Sequence, residues 1–151
     1  MISGKKTWNK NKLVGQKIPF RPQEIWAIRT RLQIQEKKRD IVLLNLGIDS
    51  KLRGCDILGL RVSDLVSADE IKHLAKLVQS KTGKSVQFEI TEPTRKALKE
   101  WIEFKRLQYH EWVFSSRQDR SNHLTTRLYA RVVKSWVQSI GLPKHKYGSI
   151  R

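Results

Sequence analysis

Along the 151-residue chain the period of the apolar positions changes several times, and each change marks an element. Pro22 suits the first turn of a helix running to about Gln35. Ile25, Ile28 and Leu32 fall on its inner face with Trp26 beside them, and Arg29 and Arg31 point outward. After a break at EKKRD, the run IVLLNLGI is apolar nearly all round. That pattern predicts a helix buried on most sides, with a core strand as the alternative, and Asp40 can cap its start. DSKLRGCDILGL then restarts a short helix, with Ser50 as the expected N-cap.

Between Glu70 and Thr91 the period becomes strand-like. HLAKLVQS and SVQFEI flank KTGK, a hairpin signal with a Thr-Gly centre. TEPTRKALKEWIEFKRL returns to helical spacing, capped by Thr91 with Pro93 in the first turn and Ala97, Leu98, Trp101 and Ile102 inward. EWVFSS is short, apolar and extended, and QDRSNHL is a loop. The final helix starts after Thr125 or Thr126, and Leu128, Tyr129, Val132, Val133, Trp136, Val137 and Ile140 form one stripe. Gly141 closes that helix and Pro143 forbids its extension. The order of helices, a small antiparallel sheet and more helices predicts a mainly helical α+β domain.

Charge narrows the function. The chain has 31 Lys and Arg against 14 Asp and Glu, a net charge of +17. Such an excess repels itself unless a polyanion is near, and nucleic acid is the expected polyanion, with an anionic membrane surface the weaker alternative. Residues 1–23 hold six bases and no acid, so a flexible basic arm is expected over residues 1–20 and a folded domain over residues 21–151. An ordinary loose terminus is the blander reading of that arm. No segment approaches a membrane span, and MISGKKTWNKNKLVG lacks the apolar stretch of a secretory signal. A single cysteine, Cys55, excludes an intrachain disulfide and suits a cytoplasmic location. The four histidines are far apart in sequence and no phosphate-loop motif occurs, so no metal, cofactor or small-molecule ligand is expected.

The candidate chemistry therefore rests on cations. Arg53 stands in the most apolar part of the chain and needs an acid or a phosphate, and Asp56 one turn later can hold its guanidinium. A structural ion pair is the alternative reading of those two. Lys81 ends a strand at the hairpin tip, where it can swing over a duplex or merely face solvent. Arg127, Arg131 and Lys134 lie together opposite the stripe of the last helix, as a phosphate-facing row or a solvated surface.

Together these segments resemble the catalytic domain of the tyrosine recombinases, the phage-type integrases. NLGIDSKLRGCDILGLRVSDL is similar to that family's first-arginine box, and VQSKTGKSVQFEI to its following β-hairpin. TRLYARVVKSWVQSIGL is like the helix before its second arginine box, and KHKYGSIR like the approach to that box. The resemblance implies that Arg53 is the first catalytic arginine, Asp56 its buttress, Lys81 the catalytic lysine and Arg151 the second arginine. Lys84 joins Arg127, Arg131 and Lys134 as expected DNA contacts. It also implies a tyrosine nucleophile that makes a 3′-phosphotyrosine, with no cofactor.

Two departures accompany the likeness. The family's H-x-x-R histidine position is Gly148 here, and Tyr109, Tyr129 and Tyr147 all precede Arg151, whereas the nucleophile should follow it. The expectation is an integrase-like domain truncated before its nucleophile and unable to cleave alone. The alternative is a non-enzymatic DNA binder that occupies recombination sites or modulates a full-length integrase, with self-association or pairing to that enzyme as partner expectations. An RNA-binding protein and a gene remnant without a selected role are the remaining readings.

Overall fold

The computed structural model describes residues 19–142. The basic arm (apart from residues 19 and 20) and the ending that holds His145, Tyr147 and Arg151 lie outside the described residues.

Six helices and two small antiparallel ribbons make up the described part, bearing out a mainly helical α+β fold. Helix α1 spans Pro22–Ile34 and α2 Lys38–Ser50, and short α3 (Gly54–Leu58) and α4 (Val62–Leu65) follow. Strands β1 (Val66–Ser67) and β2 (Glu70–Ile71) pair with each other, as do β3 (Leu74–Val78) and β4 (Ser85–Glu89). Helix α5 covers Glu92–Lys105 and α6 Thr126–Ser139.

The core is organised around α2. Val42, Leu43, Leu44 and Leu46 have no exposed surface, as an all-round apolar helix requires, and Asn45 and Gly47 are buried with them. Each such leucine contributes about 1.5–3 kcal/mol by leaving water. Helices α1, α3 and α5 and strand β4 pack against α2. Ile28 and Leu32 come from α1, Ala75, Phe88 and Ile90 from the hairpin, and Leu98 and Trp101 from α5. Val132, Val133, Trp136 and Val137 come from α6. The extended segment after α5 adds Val113 and Phe114, and the Trp101 indole donates to the Val113 carbonyl at 2.7 Å.

The capping differs from expectation. Asp40 lies inside the first turn of α2, where Lys37 is the N-cap. Its carboxylate is spent inward, one oxygen paired with Arg39 at 3.1 Å and the other accepting from the Trp136 indole at 3.1 Å. Ser50 ends α2 instead of starting α3: its hydroxyl donates to the Leu46 carbonyl and accepts from the Leu52 amide. Arg53 is the N-cap of α3. Thr91 does cap α5 in position, but its hydroxyl and amide both donate to Asp49 of α2, tying two helix ends together. Arg29 is not free in solvent, because its Nε donates to the buried Asn45 at 3.0 Å. Trp26 is exposed rather than part of the inner face.

Candidate nucleic-acid interface

The first-arginine segment is shaped by its anchors. Leu52, Ile57, Leu58 and Leu60 are buried, so the chain around Arg53 cannot move far from the core. Lys51 adopts a left-handed conformation that turns the chain out of α2. Arg53 follows in an extended conformation, its carbonyl receiving the first amides of α3 from Asp56 and Ile57. The guanidinium is half-buried and makes no hydrogen bond or ion pair with any described residue. An arginine keeps its charge in such a setting, which leaves a cation with no described acid beside it.

The pairing expected between Arg53 and Asp56 is not formed. Asp56 faces the hairpin, where one of its oxygens accepts from the Ser80 amide at 3.1 Å and from the Ser80 hydroxyl at 3.2 Å. The reason is directional: Asp56 lies in the first turn of α3 and is buried, whereas Arg53 precedes the helix and turns toward the surface. The other carboxylate oxygen of Asp56 is buried with no donor among the described residues. Cys55 packs beside the same serine, sulfur to hydroxyl 3.7 Å.

Those bonds place Lys81. The ladder of β3 and β4 ends at Val78 and Ser85, and the Gln79 amide continues it by donating to the Lys84 carbonyl at 2.9 Å. Residues 80–83 form the loop, with Gly83 at φ +69° accepting a turn that a side chain would strain. Lys81 therefore sits in the loop rather than at a strand end, one residue after the serine clamped to α3. Lys81 and Lys84 are exposed and carry no ion pair with a described residue. Arg53, Asp56 and the Lys81 loop are thus brought together through Ser80, the one member the sequence reasoning missed. Its signal was a hydroxyl residue directly before the hairpin lysine.

Helix α6 adjoins this cluster. The Tyr129 ring covers Gly54, where an added Cβ would lie 3.0 Å from Cδ2 of the ring. Burial pushes the Tyr129 hydroxyl up to about 12. Arg127, Arg131 and Lys134 are exposed on α6 and free of ion pairs with described residues. Spaced by four and three residues, they share one face. A second ordered cation was missed in the sequence: Arg61 lies 3.7 Å over the Trp112 ring and donates to the His110 carbonyl, pinning α4 to the loop that precedes α6. Among the described residues no three His, Cys, Asp or Glu side chains form a metal-sized group, and no helix is long and apolar enough to cross a membrane.

The phage integrase family model matches residues 20–148, most of the chain, and the chain belongs to that family. No curated protein matches it in sequence. Solved structures share its fold. XerA recombinase aligns at 16% identity with a TM-score of 0.68, over 83% of this chain and 44% of that one. XerH site-specific recombinase, bound to difH substrate before cleavage, aligns at 17% identity and TM-score 0.64, over 93% and 42%. Lambda integrase (residues 75–356) bound to DNA aligns at 16% identity and TM-score 0.64, over 87% and 46%. The chain spans less than half the length of each of these structures.

Proposed function

We propose that this chain is the phosphate-holding part of a tyrosine recombinase catalytic domain and that it binds double-stranded DNA. The observation that carries the reading is the Arg53 guanidinium, without a partner among the described residues, beside a helix that clamps, through Asp56 and Ser80, the loop bearing Lys81. In this reading Arg53, with Arg151 as the second arginine, stabilises charge that builds on the non-bridging oxygens of a phosphodiester. Lys81 gives its proton to the departing 5′ oxygen, and Asp56 supports the pair by fixing the loop rather than by touching Arg53. Lys84, Arg127, Arg131 and Lys134 hold the flanking backbone, residues 1–20 act as a basic arm, and residues 21–151 form the domain. XerH and lambda integrase structures bound to DNA support the assignment of duplex as partner.

In this reading none of Tyr109, Tyr129 and Tyr147 is the nucleophile, because all three precede the second arginine, Arg151. Residues 1–151 alone are therefore expected to bind duplex without cutting it, and chemistry needs a tyrosine from elsewhere, such as a full-length integrase. The place of action is the cytoplasm, where DNA is accessible.

Fluorescence anisotropy with a labelled duplex tests the binding. Affinity should fall steeply with salt, as release of condensed counterions requires. R53Q/K81Q should weaken it at least fivefold. Affinity that is absent, or indifferent to salt, rules the reading out. A nicked attachment-site substrate tests the chemistry, and a covalent adduct would show that cleavage needs no further tyrosine.

The exposed row on α6 also favours a second reading, a DNA binder without an enzymatic role. That reading predicts that R127Q/R131Q costs as much affinity as R53Q/K81Q, and that adding a tyrosine-bearing integrase segment in trans gives no cleavage.

A further inference from the structure

A second cation cluster lies at the opposite end of α2 from Arg53. The start of α2, the last turn of α5 and the loop after Phe114 enclose a cavity of about 460 Å³. The two ends of this thirteen-residue helix are about 18 Å apart at ~1.5 Å per residue, so the cavity is separate from the Arg53–Lys81 cluster.

Lys37, Lys38, Arg39, Lys105, Arg117 and Arg120 all line it. Two of the six already have carboxylates: Arg39 pairs with Asp40, and Arg120 with Glu111 at 2.6 Å. The other four have none among the described residues. Lys38 lies 5.6 Å from the Phe104 ring centre and Lys105 5.8 Å from that of Trp101, contacts that orient a cation without neutralising it. The Lys37 and Arg117 side chains make no hydrogen bond or ion pair with a described residue. The lining acids do not balance this charge. Asp40 is committed to Arg39 and Trp136, which leaves Glu36 to offset one cation. A concave wall with apolar members focuses the field of such a cluster instead of letting water disperse it.

We propose that this cavity is a second binding site, for a phosphate-bearing ligand. Several cations converging from separate elements suit a compact multivalent anion better than a single carboxylate, and Arg117 adds a planar fork matched to phosphate oxygens. The phosphate has two chemical sources: the backbone of duplex DNA reaching this end of α2, or a free polyphosphate. On one duplex, the distance from Arg53 corresponds to about five base steps at ~3.4 Å each.

Calorimetry with pyrophosphate and anisotropy with a random-sequence duplex test the proposal on the 151-residue chain. One pyrophosphate-binding event should survive R53Q/K81Q and lose at least tenfold in affinity in K38Q/R117Q. The equally charged control K76Q/K99Q, on exposed positions outside the cavity, should leave it unchanged. K38R/R117K should retain binding, which separates loss of charge from loss of fold. If K38Q/R117Q also weakens duplex binding threefold or more and flattens its salt dependence, the phosphate is that of DNA. If duplex binding is unchanged, the site takes a free polyphosphate. No pyrophosphate binding by the parent chain, or the same loss in K76Q/K99Q as in K38Q/R117Q, overturns the site. Either result leaves the Arg53–Lys81 reading standing, because that reading is tested by R53Q/K81Q.

Discussion

Asp56 and Ser80 are joined twice through one carboxylate oxygen, at 3.1 Å from the serine amide and 3.2 Å from its hydroxyl. The hairpin loop is thereby hinged to the helix that Arg53 begins. S80A removes only the hydroxyl bond and should cost about 0.5–1.5 kcal/mol. D56A removes both, so hydrogen exchange at the Ser80 amide should accelerate at least tenfold in D56A and little in S80A. Equal protection in the two variants would show that the loop is held by other means.

The buried bond from the Trp136 indole to Asp40 gives a second prediction. W136F keeps much of the apolar volume but leaves a carboxylate oxygen without its donor. Urea unfolding should show a loss of about 1–3 kcal/mol, the usual cost of an unsatisfied buried polar group.

Alkaline pH should act through Tyr129. Burial raises its hydroxyl to about 12, against an ordinary value of 10.0. The unfolded chain therefore releases this proton first. The stabilisation is complete below pH 10 and is lost as pH rises toward 12, by roughly 1 kcal/mol per pH unit in between. Unfolding followed from pH 9 to 11.5 should show that decline in the parent chain and a shallower one in Y129F.

Helix α6 begins at Thr125, whose hydroxyl accepts from the Leu128 amide at 3.1 Å. T125A should lower stability by about 0.5–2 kcal/mol, measured by thermal unfolding. The cluster of Arg127, Arg131 and Lys134 rides on this helix, so duplex affinity should fall with it.

Much of this molecule was legible because its elements differ in period. The all-round apolar run predicted α2, and the stripe from Leu128 to Ile140 predicted α6 with Gly141 at its end. The hairpin followed from alternation around a Thr-Gly pair. The β1–β2 ribbon was invisible because Ala68 and Asp69 turn it with positive φ, without the glycine that usually announces such a turn. Side-chain direction was equally hidden. Spacing placed Asp56 one turn from Arg53, but the packing of α3 aims its carboxylate at Ser80, a residue 24 positions away. A sequence-local rule cannot see a partner brought in by the hairpin. Arg29 misled for the same reason, since its acceptor Asn45 belongs to the next helix.

The Asp40–Trp136 bond also bears on how the chain is made. It closes a span of 96 residues, a loop that costs about 2 kcal/mol more closure entropy than the hairpin's. At a synthesis rate of ~5–20 residues per second, Asp40 emerges roughly 5–20 s before its partner. During that interval the hairpin can form from local contacts, while the surfaces of α1 and α3 that α6 will cover stay open to water and to other chains. Of the described helices, the last to be synthesised is also the one that covers this side of the core.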